Sequence, residues 1–348
     1  TVNTIDPDTD LSPISEGVVV DALLGSGLNR PLKGLLKDIT DWLNKQNVTR
    51  VSIDIPTGLF AENNYDNELK HVLNAHETLS LQMPKRSFFH RNTAPLVGGL
   101  KILDIGLHPD FIKESKTDNY YFDRQEACLL FRPRKQHSFK GTYGHALLVA
   151  GSQGKIGAAI LSARAVMRSG AGLLTVHTPG AGLMPLQGAL PEAMVSVDEN
   201  EEHITGLPES GNFKAIGMGP GVGTASATSH VLKNLIQNSG VPMVLDADAL
   251  NILAENRTWL AFLPQSTILT PHIGEFRRLL GKDKLEENYL DELRTMALRN
   301  GVTIVLKDSN TAVASPDGSL HFINSGSPAL ATAGSGDVLT GVILGLLS

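Results

Sequence analysis

The chain has 348 residues, enough for two domains that each bury a core, with ordinary charged and apolar fractions of 19% and 41%. A net charge of −6 without a basic block argues against nucleic acid as a main partner, and the single cysteine, Cys128, excludes an internal disulfide or a cysteine-rich metal site. No apolar run is long enough to span a bilayer and residues 1–16 are polar and acidic, so the sequence predicts a cytoplasmic protein with no membrane partner.

Val18, Val19 and Val20 predict a buried strand that ends at Asp21 and breaks into the loop Gly25, Ser26, Gly27, Leu28, Asn29, Arg30, Pro31. Leucines at helical spacing from Leu32 to Leu43 predict a helix, and Val51 to Asp54 a second strand, followed by Pro56, Thr57 and Gly58. That is a βαβ unit with two carboxylates on one sheet edge. Each Asp alone is equally a cap or a turn residue; two at equivalent strand ends favour a ligand outside the carboxyl edge. Further short strands are expected near residues 74–81 and 99–106. His76 and His90 have no metal-ligand spacing and are taken as surface or packing residues.

The basic stretch from Phe131 to Gly144 is either a solvated linker or the entry to a site. A buried strand, His145 to Gly151, runs into Gly151, Gly154 and Gly157, which open a helix reaching Gly170. The spacing Gly-x-x-Gly-x-x-Gly misses the dinucleotide fingerprint, and no Walker A pattern occurs, which disfavours a conventional dehydrogenase or P-loop enzyme. Strands follow at 172–177 and 215–217, the second entering a loop with Gly219, Gly221 and Gly223. The strand 242–246 ends in Asp246 and Asp248, and Leu269 precedes a Pro271-started helix beside His272. A strand from Val302 delivers Lys307, placed to meet either a phosphate or solvent, and a hairpin follows at 312–314 and 320–323. Gly334, Ser335, Gly336 and Asp337 then lead into an apolar helix. This is either an ordinary Asp N-cap or an anion-binding loop with a carboxylate that takes a proton. Strands that end repeatedly in Gly, Asp, His or Lys, with helices between, predict a parallel α/β sheet with one edge used for binding.

Two resemblances attach to these motifs. The order Asp21 with its Gly-rich loop, Asp54-Ile55-Pro56-Thr57-Gly58, then Asp104-Ile105-Gly106 resembles the second half of the NAD(P)H-hydrate epimerase domain, a Rossmann-like fold. It implies potassium bound by Asp21 and Thr57, and hydrated nicotinamide nucleotide held by Gly25 to Pro31 and Asp54. Lys140-Gly141, Gly157-Ala158, Gly219-Pro220-Gly221, Leu245 to Asn251, Thr270 to Glu275, Lys307 to Thr311 and Gly334 to Gly341 together resemble the ADP- or ATP-dependent NAD(P)H-hydrate dehydratase of the ribokinase-like superfamily. This resemblance implies that Ala158, Gly221, His272 and Asp337 contact the hydrate. It also implies that Lys307, Asp308, Ser309, Asn310, Thr311 and Gly336 hold the adenine nucleotide, with Mg²⁺, and that Asp337 is the catalytic base.

The fold expected is therefore α/β in two domains. Residues 1–125 would form a partial Rossmann-like epimerase domain that lacks the family's Asn-Asn-Gly-Gly-Asp loop, and residues 126–348 a ribokinase-like dehydratase domain truncated at its C-terminus. The activity implied is repair of NADHX and NADPHX to NADH and NADPH at the expense of ADP or ATP, with epimerisation by the first domain, in a homo-oligomer. A ribokinase-like small-molecule kinase is the nearest alternative, and a non-catalytic nucleotide-binding module is another. A carbohydrate-binding or scaffold protein is disfavoured by a total of two tryptophans and five tyrosines.

Overall fold

The computed structural model describes residues 4–208 and 211–348. The chain divides into two compact units at Tyr121 and Phe122.

In the first unit, β1 (Val18–Asp21), β2 (Thr49–Ile53), β3 (Glu77–Leu81) and β4 (Gly99–Leu103) pair in that order, every pair parallel. Helix α1 (Gly34–Lys45) crosses from β1 to β2, its first turn two residues later than the leucine spacing predicts. Ile39 and Leu43 of α1 form a small core with Leu73. The expected buried strand at residues 18–20 is only partly so, because Val18 and Val20 are 63% and 62% exposed. The reason is position: β1 is an edge strand, and alternate residues point away from the face that α1 covers.

The second unit holds β5 (His145–Val149), α2 (Ile156–Ser169), β6 (Leu173–Thr178), β7 (Met194–Val197), β8 (Ala215–Met218), α3 (Ser226–Asn238), β9 (Met243–Leu245), α4 (Ala247–Glu255), β10 (Thr267–Leu269), α5 (Ile273–Leu280), α6 (Tyr289–Asn300), β11 (Thr303–Leu306), β12 (Thr311–Ala314), β13 (Leu320–Ile323) and α7 (Ser335–Leu347). Its strands run in the order β13-β12-β11-β10-β9-β8-β5-β6-β7. Pairs are parallel from β11 through β7, and the hairpin β12–β13 is antiparallel. Strand order reverses between β5 and β8, and this switch point is where open parallel sheets open a crevice for ligands.

Helices α2 and α7 cover one face together. Ala159, Ala163 and Val166 of α2 and Leu344 of α7 join Leu148, Leu174 and Val176 in one core. The close approach requires small residues: a Cβ at Gly341 would lie 2.2 Å from the Ser162 carbonyl oxygen, and one at Gly345 2.7 Å from that of Val166. The basic stretch before β5 is tied down in part, since Arg134 stacks on the Tyr143 ring and donates to the Gly170 carbonyl at 2.8 Å. No helix among the described residues is long and apolar enough to cross a membrane.

Candidate functional site

In the first unit, the end of β1 delivers Asp21 into a buried polar knot. Its Oδ2 accepts from Ser52 Oγ at 2.8 Å and Thr57 N at 2.9 Å, and its Oδ1 from Thr57 Oγ1 at 2.6 Å. Thr57 Oγ1 in turn accepts from Leu24 N at 3.2 Å, anchoring the root of the Gly25–Pro31 loop, which is itself largely exposed. Asp21 and Thr57 are thus brought together, as the resemblance implies. Asp54 sits in a separate network at the end of β2, with φ of +69°. A non-glycine residue in the left-handed region is strained and clusters at functional sites. The Asp54 carboxylate accepts from Leu81 N at 3.2 Å and is ion-paired with Lys85, which also donates to Ser80 Oγ at 3.1 Å. Lys85 has no signal in the sequence beyond lying past a strand end.

In the second unit, the loops after β5 and β8 meet at the switch point. Gly221 has φ of +65°, and a Cβ there would lie 2.9 Å from the Lys155 carbonyl and 3.2 Å from Ala158 Cβ, so Ala158 and Gly221 are neighbours. Gly219 is more constrained: a Cβ would fall 1.9 Å from the Asp246 carbonyl oxygen. Asp248, on the first turn of α4, accepts from Gly223 N at 2.9 Å and from Lys155 Nζ at 3.3 Å.

Next to these loops lies a charged cluster. Asp246 at the end of β9 is 1% exposed. Its Oδ1 takes Lys307 Nζ at 2.9 Å, and its Oδ2 takes Thr340 Oγ1 at 2.6 Å. Lys307, open to either phosphate or solvent in the sequence, therefore faces a buried carboxylate. A Cβ at Gly336 would sit 3.6 Å from Lys307 Nζ, so the turn opening α7 lies over this pair. Asp308 follows and accepts from Ser309 N at 2.8 Å; Asn310 and Thr311 lead into β12.

Asp337 is not the cap of α7. Gly334 is the N-cap, in the left-handed conformation, and Asp337 is the third residue of the helix, held by Ser162 Oγ donating to its carbonyl at 2.9 Å. A carboxylate in the first turn lies at the positive end of the helix dipole, where amides without intrahelical partners face outward. Burial, then the negative charges of Asp246 and Asp248, nevertheless raise the Asp337 carboxyl above the ordinary range, against the opposing pull of Lys307.

His272 is expected to donate to a ligand, and here the structure differs in part. Its Nδ1 accepts from Gly274 N at 2.9 Å and Glu275 N at 3.3 Å, while Glu275 accepts from His272 N at 2.8 Å, a reciprocal cap at the start of α5. Its Nε2, 3.5 Å from Glu275 Oε1 on a side chain 55% exposed, is the nitrogen placed to donate. Glu275 itself is raised, first by burial and also by Asp246, although the His272 amide and Lys307 pull the other way.

Residues 146–348 match the family described as NAD(P)H-hydrate dehydratase, and residues 1–87 match the family described as YjeF-related protein N-terminus. The chain belongs to the NAD(P)H-hydrate dehydratase family. Bifunctional NAD(P)H-hydrate repair enzymes of Moorella thermoacetica and Escherichia coli are 33% and 32% identical to it, over 97% and 96% of this chain. The chain spans only 65% and 63% of the length of those two relatives. Among solved structures, the ADP/ATP-dependent NAD(P)H-hydrate dehydratase of Bacillus subtilis, co-crystallised with ATP/Mg²⁺, is 31% identical with a TM-score of 0.54, covering 66% of this chain and 80% of its own. A ribokinase-like superfamily protein of Enterococcus faecalis is 27% identical with a TM-score of 0.55, covering 67% and 81%. The ribokinase-like α/β fold of this dehydratase family is thus the one observed.

Family motifs locate Asp337, Lys307 and the glycine loops. They leave Asp246, Thr340, Lys155 and Glu275 without a role, although these complete the cluster. The usable signal was spacing: Thr340 lies three residues after Asp337, on the same side of a helix.

Proposed function

We propose that the chain repairs hydrated nicotinamide nucleotides, converting NADHX and NADPHX to NADH and NADPH with ADP or ATP consumed in its second unit. The observation that carries this is Asp337: a half-buried carboxylate of raised proton affinity on the first turn of α7, beside the Lys307–Asp246 pair. The match to the dehydratase family over residues 146–348 supports the same reading.

In this reading Ala158, Gly221 and His272 line the hydrate, and Lys307 to Thr311 with Gly336 take the adenine nucleotide. The Asp337 carboxylate accepts the proton of the hydrate's hydroxyl. That oxygen bonds to the terminal phosphorus as the bridging P–O bond breaks, releasing AMP from ADP or ADP from ATP. First-turn amides of α7 and the Lys307 ammonium meet the charge that develops on the phosphoryl oxygens. The C–O bond to the new phosphate then breaks, phosphate leaves, and loss of a ring proton restores the double bond. Magnesium supplies further charge neutralisation to the phosphates. Among the described residues no group of three or more His, Cys, Asp or Glu is placed to hold a metal, so we assign the ion to the nucleotide.

The first unit would interconvert the two epimers, with Asp54 and the Gly25–Pro31 loop on the dinucleotide. Potassium there would lie against Asp21 and Thr57, whose carboxylate and hydroxyl oxygens, hydrogen-bonded to each other in this structure, are hard donors of the kind a monovalent ion takes. The reading places the enzyme in a reducing cytoplasm.

The test is direct. The protein is mixed with NADHX and ADP or ATP, and absorbance at the NADH band is followed. Growth of the band only with nucleotide is the expected result. No growth with either nucleotide overturns the reading, and a stable phosphorylated product in place of NADH would make the protein a small-molecule kinase.

A further inference from the structure

We propose that Asp246 is a positioning residue for this site, one carboxylate that fixes both the cation Lys307 and the helix turn carrying Asp337. The inference rests on the dehydratase reading above and goes beyond the residues its motifs name.

Asp246 is placed with little freedom. It ends β9 with its amide donating to the Met218 carbonyl at 3.2 Å, its own carbonyl is packed against Gly219, and the next residue, Ala247, has φ of +48°. A strained backbone at a strand end persists only where the surroundings enforce it. Each carboxylate oxygen has a separate task. Oδ1 holds Lys307 Nζ, and Oδ2 holds the hydroxyl of Thr340, which is itself fully buried. Thr340 Oγ1 also lies 3.2 Å from the Gly336 carbonyl, one turn back in α7. The chain of contacts therefore runs from Lys307 through Asp246 and Thr340 to the turn that presents Gly336 and Asp337.

The electrostatics follow from the same placement. Asp337 is faced by Asp246, by Asp248 from α4, and by Lys307 from the end of β11. Glu275 from α5 interacts with Asp246 and Lys307, and Lys155 at the start of α2 is neutralised by Asp248. Asp246 balances the Lys307 charge at close range. It also adds negative potential at Asp337, making that carboxylate a stronger base. Without Asp246 the ammonium would be free to turn onto Asp337, lowering its basicity and removing the cation from the phosphoryl group.

The test uses the whole chain with Asp246→Asn, Thr340→Val and Thr340→Ser, reading kcat, KM and the pH dependence of NADH formation. For Asp246→Asn the expected result is a fall in kcat of about 10²-fold with the acid limb displaced to lower pH, since Asp337 loses a negative neighbour. Thr340→Val should lower kcat roughly 10-fold, and Thr340→Ser, which keeps the hydroxyl, should retain it within about 2-fold. A merely structural Asp246 would lower thermal stability and leave the acid limb in place; that outcome overturns the inference, as does Thr340→Val with wild-type kcat. If Asp246→Asn fails to fold, the two Thr340 variants decide. If the wild type forms no NADH, the dehydratase reading has failed rather than this one, and NMR titration of the Asp337 carboxyl decides: an unchanged midpoint in Asp246→Asn overturns the inference.

Discussion

Asp337 lies in the first turn of a helix, a setting that favours ionised carboxylates, yet its proton affinity is raised. Burial and the Asp246 and Asp248 charges outweigh the helix terminus and Lys307. A base works only when unprotonated, so the NADH-forming rate should climb with pH through a window above the ordinary carboxylate range and then level off. Asp337→Asn should reduce kcat by roughly 10²- to 10⁴-fold and abolish that limb while ADP binding, measured by calorimetry, persists. Asp337 was legible in the sequence because its glycines and the apolar run after it are local. Asp246 was visible as a strand-end carboxylate but its task was not, since its partners come from 61 and 94 residues away. His272 is the converse case: its place at a strand end was legible, but the use of its Nδ1 to cap its own helix was not.

Two elements around the site have their own tests. Helix α7 lies against α2 through Gly341 and Gly345, one turn apart, whose missing side chains let the Ser162 and Val166 carbonyls come close. Gly341→Ala should therefore destabilise the second unit by about 1–3 kcal/mol through overpacking, despite alanine's better helix propensity. Thermal melting should show the loss as a drop of roughly 2–10 °C. A second element, residues 198–206, is held by Asp198. Burial raises this carboxyl, but the Thr205 hydroxyl and the amides of Asn200, Thr205 and Gly206 outweigh it and hold it at about 2. A depressed carboxyl contributes stability above its ordinary value of 3.8, and that stability is lost as pH falls through about 2. His177 beside it is lowered by burial, so it contributes above its ordinary value and the contribution fades as the solution is acidified past it. Asp198→Asn should destabilise the protein by roughly 1–3 kcal/mol at neutral pH and flatten the dependence between pH 4 and 2, read by chemical denaturation across pH.

At the scale of the whole molecule each unit buries apolar residues of its own, among them Ile39, Leu43 and Leu73 in the first and the cluster beneath β5, β6, α2 and α7 in the second. Two calorimetric transitions are expected. ADP at about a hundred times its Kd should stabilise the transition of the second unit by about 2.7 kcal/mol and leave the first in place. Movement of the first transition alone would place the adenine nucleotide in the wrong unit. Alternation of strands and helices, glycines at strand ends and hairpin spacing were enough, by sequence alone, to establish a parallel α/β fold in two parts, because such signals are written in neighbouring residues. Tertiary structure decided strand order, the exposure of Val18 and Val20 on an edge, and the meeting of Asp246, Lys307 and Thr340. Those depend on which distant strands become neighbours, and a side chain's partner across a sheet leaves no periodic trace in the chain.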